Sequence, residues 1–236
     1  MNGKRAMADF VFAATYARYD EKAGRRETFD EAVDRMKKMH KVFYKDRGQE
    51  ALKLIDEAFN DVSERKVLAS QRALQFAGPP ILSHNMRIYN CATSYCDRLR
   101  FFAEAFYMGL CGVGVGFSVQ RVHTDCLPPL IDYDTLHRKE ACSFTVEDSI
   151  EGWADALHAL IEAYFSSKPI PEYDFSAVRP KGAPISAGGT APGPAPLEYA
   201  LNRVEDLLNR CVLNDQTHLR PIDCFDVAMY SAEAVL

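Results

Sequence analysis

The sequence predicts an α/β fold in which a helical N-terminal region precedes alternating short strands and helices. Apolar residues recur at helical spacing through the first part of the chain. Two short apolar segments follow, one holding Cys91 and one behind a glycine-rich turn, with a helix between them. We place the boundary after residue 80, giving a mainly helical region over 1–80 and an α/β region over 81–236.

Composition narrows the class of protein. The chain has 236 residues, of which 47% are hydrophobic and 26% charged, as in ordinary globular proteins. Its net charge of −5 argues against nonspecific binding to DNA. No apolar run reaches the roughly 18 residues of a membrane span, and the seven cysteines accompany no signal peptide. We therefore expect a cytoplasmic protein with reduced thiols and no DNA or membrane partner. The cysteine spacing does not favour structural zinc.

The N-terminal region contains two amphipathic helices. Thr28 opens the first, and Glu31 three residues later completes a capping box. A second helix follows it, and the next segment, Val67–Ala77, ends at a turn formed by Gly78-Pro-Pro80. Their apolar stripes hold Phe29, Val33, Met36, His40 and Phe43 in the first and Leu52, Ile55, Phe59 and Val62 in the second.

A strand, a helix and a second strand are predicted next. The first strand covers Arg87–Ser94, and the helix covers Leu99–Leu110. The turn Gly112-Val-Gly-Val-Gly116 leads into a strand over Phe117–Val122. Glycines at alternate positions let a backbone approach a ligand closely, because no Cβ intervenes. We expect Cys91 and this turn to line one site.

The C-terminal part is predicted to be mainly helical after a loop over 123–142. Thr145 is expected to cap a helix that ends before Pro169. The stretch Gly182–Pro196 fits either a linker or an ordered surface loop. Further helices are expected from Leu197 and from Pro221, since proline favours the first turn.

Cys91 is the candidate nucleophile, but from the residues alone a buried structural thiol is the favoured interpretation. A reactive thiol needs a neighbouring base or positive charge, for which His84, Arg87 and His123 are candidates by sequence. The glycine turn also suggests a dinucleotide site, with Asp132 at the expected distance. Its glycines follow a helix and precede a strand, however, and this order argues against that site.

Several stretches together resemble the adenosylcobalamin-dependent ribonucleotide reductases. They occur in the family's order and cover most of the chain from about Thr15. The stretch rich in glycine and proline then becomes an ordered family loop. The matching segments are Arg72-Ala-Leu, Tyr89-Asn-Cys91, Gly112-Val-Gly-Val-Gly-Phe-Ser-Val119, Asp148-Ser-Ile-Glu-Gly-Trp153, Val178-Arg-Pro-Lys-Gly-Ala183, Gly188-Gly-Thr-Ala-Pro-Gly-Pro-Ala-Pro196 and Arg220-Pro-Ile-Asp223.

The resemblance implies a chemistry for these residues. In the family a thiyl radical removes the 3′-hydrogen of a ribonucleotide, and two other cysteines reduce the 2′-carbon. Cys91 matches the first cysteine of that redox pair, with Asn90 and Gly114 at the substrate. The segment that would read a deoxynucleoside triphosphate effector contains Asp97, Leu99, Phe102, Phe106 and Leu110.

The resemblance also implies partners and a larger architecture. It implies the first part of a ten-stranded α/β barrel, a ribonucleoside triphosphate substrate, adenosylcobalamin and a thiol reductant such as thioredoxin. The family's radical cysteine and most cobalamin contacts would lie in a C-terminal portion carried by a second chain, so the isolated chain should be inactive. The alternatives are an inactive truncated fragment and a module that binds nucleotide effectors. Pro79 stands where relatives often have Thr, which removes a hydroxyl from the expected phosphate contact.

Overall fold

The chain divides into two compact units, one running to Asn90 and the other beginning at Cys91. The boundary predicted after residue 80 falls inside the first unit, where two short helices over Gln71–Phe76 and Pro79–Ser83 contact each other.

No helix among the described residues is long and apolar enough to cross a bilayer. The structure is a computed structural model that describes residues 3–137, 140–166, 168–185 and 189–235.

The first unit is mainly helical. A short antiparallel hairpin joins its first two long helices, and 3-10 turns lie at Lys45–Arg47 and Asn85–Ile88. Its helices and strands are α1 (Gly3–Thr15), β1 (Tyr19–Asp20), β2 (Arg25–Arg26), α2 (Phe29–Phe43), α3 (Gln49–Ser63), α4 (Gln71–Phe76) and α5 (Pro79–Ser83).

The predicted capping box of α2 is confirmed. The Glu31 amide donates to the Thr28 hydroxyl at 3.3 Å, and the Thr28 amide donates to the Glu31 carboxylate at 2.7 Å. These bonds satisfy amide groups that have no partner within the helix. The apolar face of α2 then buries Val33 and Met36 in the core of the unit.

Arg35 joins α2 to the end of α4. Its guanidinium donates to the carbonyl oxygens of Leu74 at 2.6 Å and Ala77 at 2.9 Å. It also donates to the Glu27 carboxylate at 3.0 Å. The last carbonyl oxygens of a helix receive no hydrogen bond from within the helix. Arg35 supplies the donors that they lack.

In its described residues, the second unit contains two pairs of parallel strands and a helical core. Strand β3 pairs with β4, and β5 pairs with β6. Its helices and strands are β3 (Cys91–Tyr95), α6 (Arg100–Leu110), β4 (Gly114–Ser118), α7 (Arg121–Thr124), α8 (Tyr133–His137), β5 (Cys142–Thr145), α9 (Ile150–Phe165), β6 (Pro171–Asp174), α10 (Ala195–Leu213) and α11 (Pro221–Glu233).

The core of the second unit lies among α6, α9, α10 and α11. Phe101, Leu157 and Leu208 are almost completely buried there. Tyr164 is also buried, and its hydroxyl donates to the side-chain oxygen of Asn209 at 2.7 Å. Burial raises the pKa of Tyr164 far above its ordinary value, so this phenol stays a neutral donor.

Both strands of the predicted strand-helix-strand unit are present, but at shifted positions. The first covers Cys91–Tyr95 rather than Arg87–Ser94, because the chain before it forms a 3-10 turn. The second covers Gly114–Ser118 rather than Phe117–Val122, because the glycines pair with β3 and the chain then enters α7. The helix between the strands is confirmed at Arg100–Leu110.

The predicted start of α9 was wrong. Thr145 is the last residue of β5, and Ser149 is the N-cap of the helix. The Ser149 hydroxyl accepts the Gly152 amide at 2.9 Å. Strand β6, which follows α9, was not predicted, and the loop expected over 123–142 contains α8. The helix beginning at Pro221 is confirmed.

Candidate functional site

Cys91 and Gly114 are direct partners in the parallel pair β3–β4. The register continues with Thr93 opposite Gly116 and Tyr95 opposite Ser118. Successive side chains of a strand point to opposite faces, so these residues share one face of the pair. The structure thereby brings together Cys91 and the glycine segment that the sequence singled out.

This shared face is open to solvent. Cys91, Thr93, Gly114 and Gly116 are exposed, and we call the surface that they form the open face. The opposite face packs against the core, where the Phe117 ring lies 5.5 Å from the Phe101 ring. The side-chain alternation of β3 and β4 therefore separates an anchoring face from a face available to a ligand.

The glycine segment leaves the β4 side of the open face without bulky side chains. A Cβ added at Gly116 would lie 3.8 Å from the Ala92 oxygen and 3.9 Å from the Thr93 methyl group, which are ordinary contacts. The strand pair itself therefore does not require glycine at this position. What the glycine provides is bare backbone beside the row of side chains that begins at Cys91.

A left-handed glycine sets the start of β4. Gly112 has a φ of 83°, a conformation that residues with a Cβ rarely adopt. The amide of Gly112 donates to the Gly109 oxygen at 2.7 Å, and the Val113 amide donates to the Met108 oxygen at 3.0 Å. These bonds end α6 and turn the chain into β4, so the first glycine has a structural role.

An aromatic cluster occupies the other end of the open face. The rings of Tyr95 and His123 lie 4.6 Å apart, and the Ser118 hydroxyl is 3.0 Å from His123 Nδ1. Cys91 and Tyr95 are the two ends of β3, about 13 Å apart at the usual rise of a strand. The His123 ring thus lies beside Tyr95, at the end of β3 opposite to Cys91. His84 and Arg87, the other candidates, belong to the first unit.

Asp97 follows β3 and is engaged by an arginine. Arg98 donates to the Asp97 carboxylate at 2.6 Å and also to the Glu104 carboxylate on α6. These two contacts, with that of Glu104 the larger, raise the pKa of Arg98. The Asp97 side chain remains 38% exposed, so a ligand could reach it by displacing Arg98. Sequence reasoning did not identify this network.

The apolar residues predicted at the effector site lie on α6 or at its start. Phe102 and Phe106 are only 1% and 3% exposed, inside the core. Leu99 and Leu110 are partly buried against that core. While the core stays packed, neither phenyl ring can contact a ligand directly. Asp97 is thus the predicted effector residue with a polar side chain at the surface.

The remaining predicted residues differ in how far the structure locates them. Asn90 is exposed and immediately precedes Cys91, but it belongs to the first unit. Cys126 and Cys142 are exposed, as Cys91 is, so exposure alone does not distinguish a reactive thiol. Cys91 differs from these two cysteines because it lies opposite Gly114 in the strand pair.

Comparison with known proteins gives a consistent family. Residues 130–208 match the model of the insertion domain of B12-dependent ribonucleotide reductase. The adenosylcobalamin-dependent ribonucleoside-triphosphate reductase of Euglena gracilis is 28% identical over 214 residues, covering 83% of this chain and 28% of that protein. A putative enzyme of the same name from Mycobacterium phage D29 is 30% identical over 233 residues, covering 86% of this chain and 33% of the relative.

The fold agrees with these sequence matches. A crystal structure of a B12-dependent (class II) ribonucleotide reductase superposes with a TM-score of 0.80 at 23% identity, over 96% of this chain and 40% of that one. The chain is a relative of the B12-dependent ribonucleotide reductases. It spans about a third of the length of the curated relatives described above.

The insertion-domain match locates a second region of interest in this ribonucleotide reductase relative. Residues 130–208 include β5, α9, β6 and most of α10. Between β6 and α10 lies a cavity of about 360 Å³, lined by apolar side chains, the Asn202 amide and the carboxylates of Glu172, Glu198 and Glu205. Burial, and secondarily the neighbouring Asp206, raises the pKa of Glu205. This acidic lining does not favour a phosphate group.

Proposed function

We propose that this chain is the N-terminal part of a ribonucleotide reductase that converts ribonucleoside triphosphates to deoxyribonucleotides by thiyl-radical chemistry. The observation that carries the proposal is the pairing of Cys91 with Gly114 on the open face of β3–β4. The family resemblance of the sequence supports the same reaction.

Cys91 is proposed as one thiol of the redox pair. Replacing the 2′-hydroxyl of a ribonucleotide by hydrogen requires two electrons and releases water. Two thiols supply those electrons and become one disulfide, which a thiol reductant such as thioredoxin then reduces. Cys91 is exposed on the open face, so its sulfur is accessible to a substrate and to a second thiol from the remainder of the protein.

The neighbours of Cys91 are proposed to position the substrate. Gly114 lies directly opposite Cys91 and presents backbone without a side chain. A ribose could therefore rest against β4 while its 2′-carbon faces the thiol. Asn90 adjoins Cys91 in sequence and carries an amide that can donate to and accept from ribose hydroxyls.

Adenosylcobalamin is the proposed radical source, but this chain supplies little of its site. The described residues line cavities of about 290, 360, 590 and 790 Å³, and none of these four is lined by Cys91 or the open face. None of these four cavities therefore places a cofactor beside Cys91. We propose that its contacts come from the remainder of the protein.

The architecture around the open face is proposed to be the first part of a ten-stranded barrel. In the described residues, β3 and β4 hydrogen-bond only with each other, so one edge of each strand is left for further strands. We propose that a C-terminal portion continues the sheet from these edges. Effector recognition is proposed for Asp97 and for the segment matched to the insertion domain.

The test is reduction of CTP or ATP by this chain together with the C-terminal portion of the enzyme, adenosylcobalamin and a dithiol. Cys91→Ser should abolish deoxynucleotide formation, because one thiol cannot supply two electrons. Cys126→Ser is the matched control, since Cys126 is also an exposed cysteine. Normal product from Cys91→Ser would refute the assignment. Normal product from this chain alone would refute the need for a second portion.

A further inference from the structure

A pair of buried cysteines lies behind the open face, separate from Cys91. Cys96 directly follows β3 and is completely buried. Its amide donates to the Ser118 oxygen at 3.0 Å, which fixes it beside the end of β4. The proposed reduction of ribonucleotides does not use this thiol.

Cys224 reaches the same place from α11. It is also completely buried, within the same core cluster as Cys96. The next residue, Phe225, has its ring 6.1 Å from Phe117, and Phe117 directly precedes Ser118. Two independent contacts, one from each side, therefore bring Cys96 and Cys224 to the end of β4.

The two thiols interact with each other. The neighbouring Cys96 thiol, together with burial, raises the pKa of Cys224 far above its ordinary value. Burial raises the pKa of Cys211 on α10 to about 11, and the nearby Cys224 contributes a smaller effect in the same direction. Cys96 and Cys224 both lie at the end of β4, whereas Cys211 lies on α10, so Cys96 is the favoured partner of Cys224.

We propose that Cys96 and Cys224 form a reversible intramolecular disulfide, a second redox site of this chain. The oxidant is a small thiol-oxidising reagent of the diazene or disulfide class. With diamide, the two thiols give up two protons and two electrons and form one S–S bond. The N=N bond of diamide becomes an N–N bond that carries the two hydrogens, so atoms and electrons balance.

The disulfide would restrict the movement of the segment that follows β3 when the two thiols are oxidised. It would link the end of β3 covalently to α11, with Asp97 as the next residue after Cys96. It needs no cysteine from outside the chain, unlike the disulfide proposed for Cys91. The thiolate is the reacting form, so a raised thiol pKa makes the reaction slow at neutral pH and faster as the pH rises.

The experiment maps disulfides in the folded chain after exposure to diamide. Remaining free thiols are alkylated, the unreduced chain is digested, and linked peptides are identified by mass spectrometry. We expect a Cys96–Cys224 peptide that disappears after dithiothreitol and forms faster at higher pH. We also expect a higher midpoint of thermal unfolding for the oxidised chain, because the link restricts the unfolded state.

Disulfide mapping of the unmodified chain is enough to overturn the proposal. A Cys211–Cys224 link, oxidation confined to the exposed cysteines, or a Cys96–Cys224 link that forms only in denaturant would each overturn it. Cys111→Ser is the matched control, because Cys111 is buried like Cys96 and is not part of the pair. That variant should keep the link, whereas Cys96→Ser and Cys224→Ser should each lose it.

Discussion

The carbonyl oxygen of Glu147 lies 2.6 Å from the position that a Cβ on Gly152 would occupy. The Cβ and Cα atoms of Glu147 are also within 3.0 Å of that position. Real Cβ atoms do not approach backbone this closely. The first turn of α9 therefore folds against the preceding chain only because residue 152 has no side chain.

Gly152→Ala should destabilise the second unit by about 1–3 kcal/mol, the usual cost of overpacking. Urea unfolding followed by circular dichroism measures the loss. Gly116→Ala is the matched control, since its new Cβ meets only ordinary contacts and should cost less than about 1 kcal/mol. Equal losses in both variants would contradict the assigned role of Gly152.

Glu27→Gln should destabilise the first unit by about 3 kcal/mol, because it leaves the guanidinium of Arg35 without its counter-charge. The Arg35 and Glu27 side chains are only 19% and 11% exposed. Asp34→Asn breaks the exposed pair with Lys38, which is 74% exposed, and should change stability by less than about 0.5 kcal/mol. Thermal unfolding of both variants gives the comparison, and a loss no larger for Glu27→Gln would count against it.

Acid should weaken α2 through Glu31. Hydrogen bonds from Arg25 and from the Thr28 amide lower the pKa of Glu31 from 4.5 to about 2. Because the pKa is lower in the folded state, the ionised Glu31 stabilises the protein. This stabilisation is complete above a pH of about 4.5 and is lost as the pH falls through about 2. Carboxyl chemical shifts measured by NMR should show this titration. Arg25→Ala should move the pKa of Glu31 back toward its ordinary value; an unchanged pKa would show that Arg25 is not the main cause.

Phe102→Ala and Asp97→Asn should separate packing from ligand recognition. Phe102→Ala should cost about 3–5 kcal/mol of stability, because the ring is buried in the core. Asp97→Asn should cost less than about 1 kcal/mol, since its pair with Arg98 is partly exposed. In the assembled enzyme, Asp97→Asn should weaken binding of a deoxynucleoside triphosphate. Urea unfolding and nucleotide titration measure the two effects, and unchanged nucleotide affinity would remove Asp97 from the proposed effector site.

Features governed by neighbouring residues were predictable from the sequence. The capping box at Thr28 and Glu31 and the start of α11 at Pro221 depend on residues within one turn of a helix. The bounds of β3 and β4 depend on each other across α6, and periodicity in one segment cannot supply that register. The cap of α9 was misplaced because Thr145 and Ser149 both fit the capping pattern, and pairing with β6 draws Thr145 into a strand.

The candidate site was predictable in part. Alternating glycines next to a cysteine-bearing segment correctly indicated that Cys91 and Gly114 lie together. The ion pairs of Arg98 and the shared core position of Cys96 and Cys224 involve residues from different segments, and neither follows a sequence pattern. Their roles, like those of Cys91, Asn90 and Gly114, stay predictions until the experiments above are done.

The compactness of Cys91–Ser118 along the chain has a consequence for the order of folding. Strand β3, helix α6 and strand β4 are consecutive, so their contacts close short loops, and such local contacts generally form early. Helix α11 lies much further along the chain, so we expect it to complete the core behind β4 after these local contacts have formed. Until α11 docks, Cys96 lacks its cover from that side, and Cys91 and Cys96 are two thiols close together in sequence. Docking of α11 is therefore the step that leaves Cys91 as the accessible thiol of this strand.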